Sequence, residues 1–173
     1  MSEQFVVLVD KNDRDLGIME KMKAHIEGVL HRAFSIFIFN SKGELMIHQR
    51  ALTKYHSPGL WTNTCCSHPQ LNQSVLDNAH TRLQEEMGFD CGFSEAFTFL
   101  YNAEVGQGLI EHEFDHVFIG ISESQPNINP DEVESWKYMS MDDLRTDIKD
   151  NPAIYTVWFK IAFEEVSEHF KRR

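Results

Sequence analysis

The segment SVLDNAHTRLQEEMGF, residues 74–89, carries a helical pattern that ends in a stop signal. Four apolar residues recur at the spacing of one helix face: Leu76, Ala79, Leu83 and Met87. Gly88 follows them and is typical of a helix end, because glycine adopts the left-handed backbone conformation at little cost. The segment therefore predicts a helix from Ser74 to Met87.

Strand patterns lie on both sides of this predicted helix. Before it, FVVLVD (5–10) indicates a first strand, and RAFSIFIFN (32–40) and ELMIHQRAL (44–52) flank the turn SKG, as in a hairpin. After it come two stretches rich in β-formers, EAFTFLYNAEV (95–105) and GLIEHEFDHVFIGIS (108–122). Interleaved strands and helices with hairpins predict a mixed α/β domain rather than an all-parallel sheet.

The C-terminal third predicts two further helices. SWKYMSMDDLRTDI (135–148) is typical of a strand that passes into a helix through Ser140. NPAIYTVWFKIAFEEVSEHFKRR (151–173) predicts an amphipathic helix with Pro152 near its start and basic residues at its end.

The composition predicts one domain over residues 1–173, since a chain of 173 residues with 42% hydrophobic residues can bury its own core. The longest apolar run, FSIFIF (34–39), is too short to span a bilayer, and the start MSEQFVVLVDKND lacks a secretory pattern. We therefore expect a cytoplasmic protein without a membrane partner, monomeric or weakly dimeric. The net charge of −11 argues against a nucleic-acid partner, so an anionic substrate requires a local basic cluster.

Two adjacent cysteines stand in WTNTCCSHPQ (61–70). Cys65 and Cys66 are poor disulfide partners on geometric grounds, and reduced thiols fit a cytoplasmic protein. A thiol of tuned pKa can act as nucleophile, base or acid, whereas the commoner role of a cysteine is that of a small buried apolar residue. Cys91 is assigned that second role. With His68 the pair could form half of a zinc site, but the sequence has no second ligand pair of the usual spacing.

Several acidic and histidine residues are candidate metal ligands. Glu111 and Glu113 are two apart in a predicted strand, so both carboxylates project from one face and attract a cation. The alternative is a solvated polar face. His25 and His31 do not share a helical face, so they converge only if the chain turns at Gly28.

Four separated cations could meet around one phosphate-bearing ligand: Lys21, Arg50, Lys54 and Arg82. For Arg82 the alternative is a simple surface pair with Glu86, four residues further along the helix.

Seven segments in this order closely resemble the type I isopentenyl-diphosphate isomerases: EKMKAH, LHRAF, RALTK, PGLWTNTCCSHPQ, RLQEEMG, EHE and YTVWF. The resemblance runs from about Gly17 to Trp158. It implies a Nudix-like fold, which is an α/β/α sandwich with a mixed sheet. It also implies interconversion of isopentenyl diphosphate and dimethylallyl diphosphate, in which protonation and deprotonation move a double bond by one carbon through a tertiary carbocation.

The Nudix box is present in a degenerate form. Anchored on Gly88, the general pattern G-x5-E-x7-R-E-U-x-E-E-x-G-U matches at Leu83, Glu85, Glu86 and Phe89. Four positions depart from it: its first Gly falls on Ser67, its first Glu on Gln73, its Arg on Thr81 and its next Glu on Arg82. A diphosphate hydrolase uses those acids to gather magnesium around a nucleophilic water, so their loss argues against hydrolysis.

The resemblance also implies roles for individual residues. A catalytic divalent metal, Mn, Zn or Mg, would be bound by five ligands: His25, His31, His68, Glu111 and Glu113. Glu86 would help to hold a second ion, a Mg that bridges to the diphosphate. The diphosphate would be bound by the four cations: Lys21, Arg50, Lys54 and Arg82. Cys66 would be the catalytic thiol, and Glu113 with Tyr101 the acid/base group on the other side of the substrate.

Trp158 would stabilise the carbocation through the negative face of its indole ring, which provides no nucleophile to trap the cation. The alternative for Trp158 is a core anchor of the last helix. Two other functions remain open at this level: a Nudix-type diphosphate hydrolase, and a metal- or ligand-binding domain without turnover.

Overall fold

The structure is a computed structural model in which residues 4–173 are described. Nine strands lie in that range: β1 (Phe5–Val9), β2 (Asp15–Glu20), β3 (His31–Phe39), β4 (Glu44–Arg50), β5 (Trp61–Thr62), β6 (Cys65–Ser67), β7 (Phe93–Gly106), β8 (Leu109–Ile121) and β9 (Val133–Ser140). Four α-helices accompany them: α1 (Lys21–Glu27), α2 (Val75–Met87), α3 (Met141–Asp150) and α4 (Val157–Lys171). A short 3₁₀ turn covers Pro152–Ile154.

The helix predicted over residues 74–87 is α2, and both of its ends have a local cause. The Ser74 hydroxyl accepts a hydrogen bond from the Asp77 N–H at 3.0 Å, which satisfies one of the free donors of the first turn. Gly88 ends the helix in the left-handed region at φ 74°. A Cβ there would lie 2.2 Å from the Asn127 carbonyl oxygen, so this position requires glycine.

One detail of the predicted apolar face is wrong. Leu76 is 42% exposed, while Asn78 and Glu86 are buried on the inner face beside Ala79, Leu83 and Met87. Asn78 is satisfied there because its side-chain NH₂ donates to the Ser74 carbonyl and its oxygen accepts from the Gln70 N–H. In the first turn of α2, Val75 packs on the apolar cluster while Leu76 faces outward, and Asn78 bonds to the loop before the helix.

Strand β3 is the centre of a mixed sheet. It pairs in parallel with β8 along its whole length, and on its other edge it pairs antiparallel with β6 and, at single positions, with β1 and β4. The predicted hairpin between β3 and β4 exists only at its turn, where Phe39 faces Leu45. Beyond that pair β4 leaves β3 and pairs with β5 and β9.

Side chains of β3 alternate between the two faces of the sheet, and each face packs into one of two apolar clusters. Its even-numbered residues Phe34, Ile36 and Ile38 belong to the apolar cluster that contains the inner face of α2. The odd-numbered Phe37 and Phe39 belong to the cluster that contains α4. The predicted α/β/α sandwich with a mixed sheet is therefore confirmed.

The two C-terminal helices are confirmed with one correction. Ser140 ends β9 and caps α3 by accepting a hydrogen bond from the Asp143 N–H at 3.1 Å. Pro152, in contrast, begins the 3₁₀ turn and not the last helix, which starts at Val157 after Thr156. Among residues 4–173, the structure contains no helix with the length and apolarity needed to cross a bilayer.

Candidate active site

The site begins on one face of β3 and β8, where polar residues replace the apolar ones. Parallel pairing places His31, the first residue of β3, beside Glu113 of β8. Glu111 lies two residues earlier on β8 and on the same face, and each glutamate is only 4% exposed. The solvated-face alternative for the two glutamates is therefore wrong, because both carboxylates are buried.

The turn at Gly28 brings the first two histidines together, as predicted. Gly28 ends α1 in the left-handed region at φ 68°, and the chain reverses into β3. The ring centroids of His25 and His31 are 5.0 Å apart. His68, which follows β6, lies 5.1 Å from the His31 ring and 5.6 Å from the His25 ring.

The histidines present free nitrogen lone pairs to one another. His25 donates its Nδ1–H to the Lys21 carbonyl at 2.7 Å, and His31 donates its own to the Val29 carbonyl at 2.8 Å. Each Nε2 is thereby left unprotonated, and neither has a hydrogen-bond partner among residues 4–173 although both are buried. Backbone acceptors that fix the tautomer in this way are the usual support of metal-ligating histidines.

The donor set fits a divalent metal. Ligand atoms of His25, His31, His68 and Glu113 all lie within 4.8 Å of one another. His31 Nε2 is 3.5 Å and His68 Nε2 is 3.2 Å from the same Glu113 oxygen. Buried carboxylates and lone-pair nitrogens without partners are costly unless a cation neutralises them. These residues therefore can hold a metal ion.

The two carboxylates are ionised and a phenol is shared between them. Burial and the neighbouring Glu111 would raise the pKa of Glu113, but the adjacent imidazoles of His31 and His68 hold that pKa lower, at about 2. The Tyr101 hydroxyl lies 2.5 Å from Glu111 Oε2 and 3.0 Å from Glu113 Oε2. Burial first, and then the two carboxylates, raise the pKa of Tyr101 well above its usual value, so the phenol keeps its proton.

The adjacent thiols face opposite sides of the sheet. Cys66 pairs with Ser35 in the β6–β3 ladder and lines the site, whereas Cys65 pairs with Ile36 and belongs to the core beneath α2. The two-residue period of a strand explains this difference, because neighbouring side chains point to opposite faces. Burial raises the pKa of the Cys66 thiol, so this group holds its proton at neutral pH.

A single cavity of about 710 Å³ joins the thiol, the carboxylates and the predicted basic residues. All four cations line it: Lys21, Arg50, Lys54 and Arg82. Burial lowers the pKa of Lys21 to about 8, and repulsion by Lys54, Arg82 and Arg50 acts in the same direction. The four cations line one space, which suits an anionic ligand.

Arg82 both pairs with Glu86 and lies among the cations of the cavity, the two arrangements that the sequence left open. Its guanidinium pairs with Glu86 at 2.5 Å, as the helix spacing predicts, and it also lines the cavity. Glu132 lies 3.5 Å from Arg82 and 2.6 Å from Lys54, and was not identified from the sequence. Two buried or half-buried carboxylates, Glu86 and Glu132, thus stand among the cations.

Trp158 is a core anchor of α4 and also lines the cavity. It is 3% exposed and packs with Tyr101, Val105 and Leu109, so it anchors α4 to β7 and β8. Its ring also lines the cavity, with the Arg50 guanidinium 5.3 Å from the ring centre.

Sequence reasoning missed His56 and Asp115. His56 lies in the loop between β4 and β5, and its Nε2 is 2.7 Å from Glu111 Oε1. No local sequence pattern indicates that His56 is a site residue, because residues in a loop do not follow the period of a helix or a strand. Asp115 continues the alternation of Glu111 and Glu113 on β8 and lines the same cavity, so the pattern E-x-E-x-D could have revealed it. Burial, and then Glu113, raise the pKa of Asp115 well above its usual value.

Comparisons with known structures agree with this fold. The NUDIX domain family matches residues 29–159. The crystal structure of DR0079 from Deinococcus radiodurans superposes with a TM-score of 0.76 at 17% identity, covering 91% of this chain and 96% of that one. A MutT protein from Methanosarcina mazei Go1 superposes with a TM-score of 0.66 at 16% identity, covering 82% and 96%. At these identities the likeness establishes the fold alone.

Sequence relatives are much closer. The isopentenyl-diphosphate Delta-isomerase of Pectobacterium atrosepticum is 47% identical over 166 residues, covering 96% of this chain and 93% of the relative. Isopentenyl-diphosphate Delta-isomerase 2 of Aromatoleum aromaticum is 49% identical over 164 residues, covering 95% and 87%. The chain therefore belongs to the isopentenyl-diphosphate Delta-isomerase family, within the wider group of NUDIX-domain proteins.

Proposed function

We propose that this chain, acting as one domain, interconverts isopentenyl diphosphate and dimethylallyl diphosphate. The observation that carries the proposal is the content of the single cavity of about 710 Å³, which joins four converging cations to a protonated thiol and an ionised carboxylate. An anion-binding end and a proton-transfer end in one buried space are what an isomerase of a small unsaturated diphosphate requires. The names of the relatives agree with this reaction.

The diphosphate would lie among the basic residues. Arg50 is 5% exposed, and its Nε has no hydrogen-bond partner in the described residues, so this N–H remains available to a ligand. Arg82 Nε likewise has no hydrogen-bond partner in the described residues. Arginine and lysine donors satisfy phosphate oxygens with short, charge-assisted hydrogen bonds, and Lys21 and Lys54 would supply the remaining charge. Glu86 would hold a Mg that bridges to the diphosphate, the type of ligand and site that this ion prefers.

The catalytic metal would be held by His25, His31, His68, Glu111 and Glu113. A mixed set of imidazoles and carboxylates suits Mn or Zn, and Mg through its carboxylates. Bound there, the ion would neutralise the two carboxylates, fix their orientation and increase the acidity of a proton carried on them.

The proton chemistry would use groups on the two edges of β3. Cys66 approaches the cavity from β6 on one edge, and Glu113 approaches from β8 on the other, so a substrate above β3 would have one group on each side. In the resting protein the thiol carries its proton and Glu113 is ionised. One group adds a proton to the terminal carbon of the alkene, which leaves the positive charge on the tertiary carbon, and the other removes a proton from the methylene on the far side of that carbon, so the double bond moves by one position. Tyr101 would exchange the proton held at Glu113 through its hydroxyl.

The intermediate of this reaction is a tertiary carbocation, which needs a negative environment without a nucleophile. Trp158 would provide the face of its indole ring, an interaction of about 2 kcal/mol in a site without water. Its burial against Tyr101 and β7 would hold the ring in place while charge develops.

The test is proton NMR of isopentenyl diphosphate with the purified protein and Mg²⁺ or Mn²⁺ in deuterated water, with phosphate release measured in the same sample. We expect dimethylallyl diphosphate carrying deuterium at the protonated carbon and no phosphate. Release of phosphate without a shift of the double bond would favour the hydrolase instead.

A further inference from the structure

His56 is a fourth histidine beside the cluster of His25, Glu111 and Glu113, and the loop between β4 and β5 holds it there. It is 1% exposed, and its carbonyl accepts a hydrogen bond from Arg50 at 3.0 Å. Its Nδ1 lies 3.1 Å from the Ser57 hydroxyl, and Ser57 has a left-handed φ of 48°, a conformation that L-residues rarely adopt. The ring stacks on His25, with centroids 5.7 Å apart at an angle of 29°.

The free nitrogen of His56 points at a carboxylate of the same centre. Its Nε2 is 2.7 Å from Glu111 Oε1, yet it has no hydrogen bond of good geometry to any residue within 4–173. A buried nitrogen without a hydrogen-bond partner requires an explanation, and an ion bound by both His56 and Glu111 would provide one.

Potential ligand atoms form two groups that share one residue. His25, His31, His68 and Glu113 form the first, and His25, His56 and Glu111 form the second, with all atoms of each group within 4.8 Å of one another. Because the Nδ1–H of His25 is donated to the Lys21 carbonyl, His25 has one lone pair, on Nε2, and can bind one ion only. If both groups bind metal, they therefore bind the same ion.

We propose that His56 is a further ligand of this ion, next to Glu111. The inference rests on the metal centre of the proposed function. The centre would then offer four imidazoles and two carboxylates, six ligand side chains in all. If all six bound a six-coordinate ion, no position would remain on it for water or for a diphosphate oxygen, and the ion would act on the substrate through the carboxylates that it holds.

Mn²⁺ alone is the probe for the first test, in the full-length protein. His56→Ala should weaken Mn²⁺ binding by about tenfold or more, since loss of even a supporting residue costs about 10–100-fold. It should also raise the water-proton relaxation rate of the bound Mn²⁺, because a water enters the vacated position. An affinity within about twofold of the unmodified protein, with unchanged relaxation, would overturn the proposal.

Two further variants separate ligation from simpler roles. His56→Gln keeps a side chain that can donate a hydrogen bond to Glu111, so full Mn²⁺ affinity in this variant would reduce His56 to a positioning residue and refute ligation. His80→Ala is the matched control, because His80 pairs with Asp90 at 2.6 Å and stacks on Phe93, away from the centre. It should bind Mn²⁺ normally.

A second test uses the unmodified protein, so its result does not depend on whether a variant folds. The protein is loaded with Mn²⁺ and its ligands are identified by X-ray absorption. Four imidazoles in the first coordination sphere would support the proposal, and three would refute it. Three imidazoles together with normal isomerisation would show that His56 is not a ligand and would leave the proposed function intact. Four imidazoles in a protein that does not isomerise the substrate would support His56 and refute the proposed activity.

Discussion

The two adjacent thiols provide an internal control for the proposed chemistry. Cys66 faces the cavity and Cys65 faces the core, so replacing each with alanine changes one function at a time. Cys66→Ala removes a proton-transfer group, and such groups contribute about 10²–10⁴-fold to a rate. Glu113 approaches from the other edge of β3 and cannot replace the thiol on its side of the substrate, so we expect a loss of at least about 10³-fold in kcat, or about 4 kcal/mol.

The expected effect of Cys65→Ala is on stability. Cys65 is fully buried, and its thiol donates to Glu86 Oε2 at 3.4 Å. Loss of one buried heavy atom costs about 1 kcal/mol, and loss of the weak hydrogen bond costs about 1 kcal/mol more. For a domain of this size, about 2 kcal/mol lowers Tm by roughly 4–8 °C. The isomerisation rate of the folded variant should stay within about threefold of the unmodified rate.

The assay combines isomerisation rates at saturating isopentenyl diphosphate with thermal melting followed by circular dichroism. Cys66→Ser adds a second test, because a hydroxyl is far less acidic than a thiol and should not restore the rate. The reasoning is refuted if folded Cys66→Ala turns over at the unmodified rate. It is also refuted if the two alanine variants lose activity equally while both melt normally.

Three further outcomes are expected. His25→Ala should lower bound metal and turnover together, and full metal content by elemental analysis with normal activity would remove His25 from the centre. Trp158→Phe should keep part of kcat and Trp158→Ala should lose more, since the ring interaction strengthens as positive charge develops; equal kcat values would leave Trp158 as a core anchor only. Lys21, with its pKa lowered to about 8 by burial and by Lys54, loses its charge in the free protein as pH rises through that value. The KM for the diphosphate should therefore rise between about pH 7 and pH 9, whereas Lys21→Arg, which stays charged, should flatten the profile; the same rise in both proteins would contradict this assignment.

Local patterns predicted most of the features that depend on neighbouring residues, with Leu76 and Pro152 as the exceptions. The period of α2 and its end at Gly88 were readable because helix faces and left-handed glycines are set within a few residues. The shared face of Glu111 and Glu113, and the opposite faces of Cys65 and Cys66, follow from the two-residue period of a strand. Four cations and three histidines could also be named because the resemblance covers most of the chain.

The structure alone decided how distant segments meet. The parallel pairing of β3 with β8 joins His31 to Glu113 across 82 positions of the chain, and no local signal states that β3 turns away from β4 after Phe39 and Leu45. His56 reaches the centre for the same reason. Its side chain is placed by the Arg50 contact and the left-handed Ser57, and both act only once β4 and β5 are paired. A sequence specifies the period and chemistry of each segment, whereas the partners of a buried polar group depend on which strands are adjacent, and tertiary packing sets that adjacency.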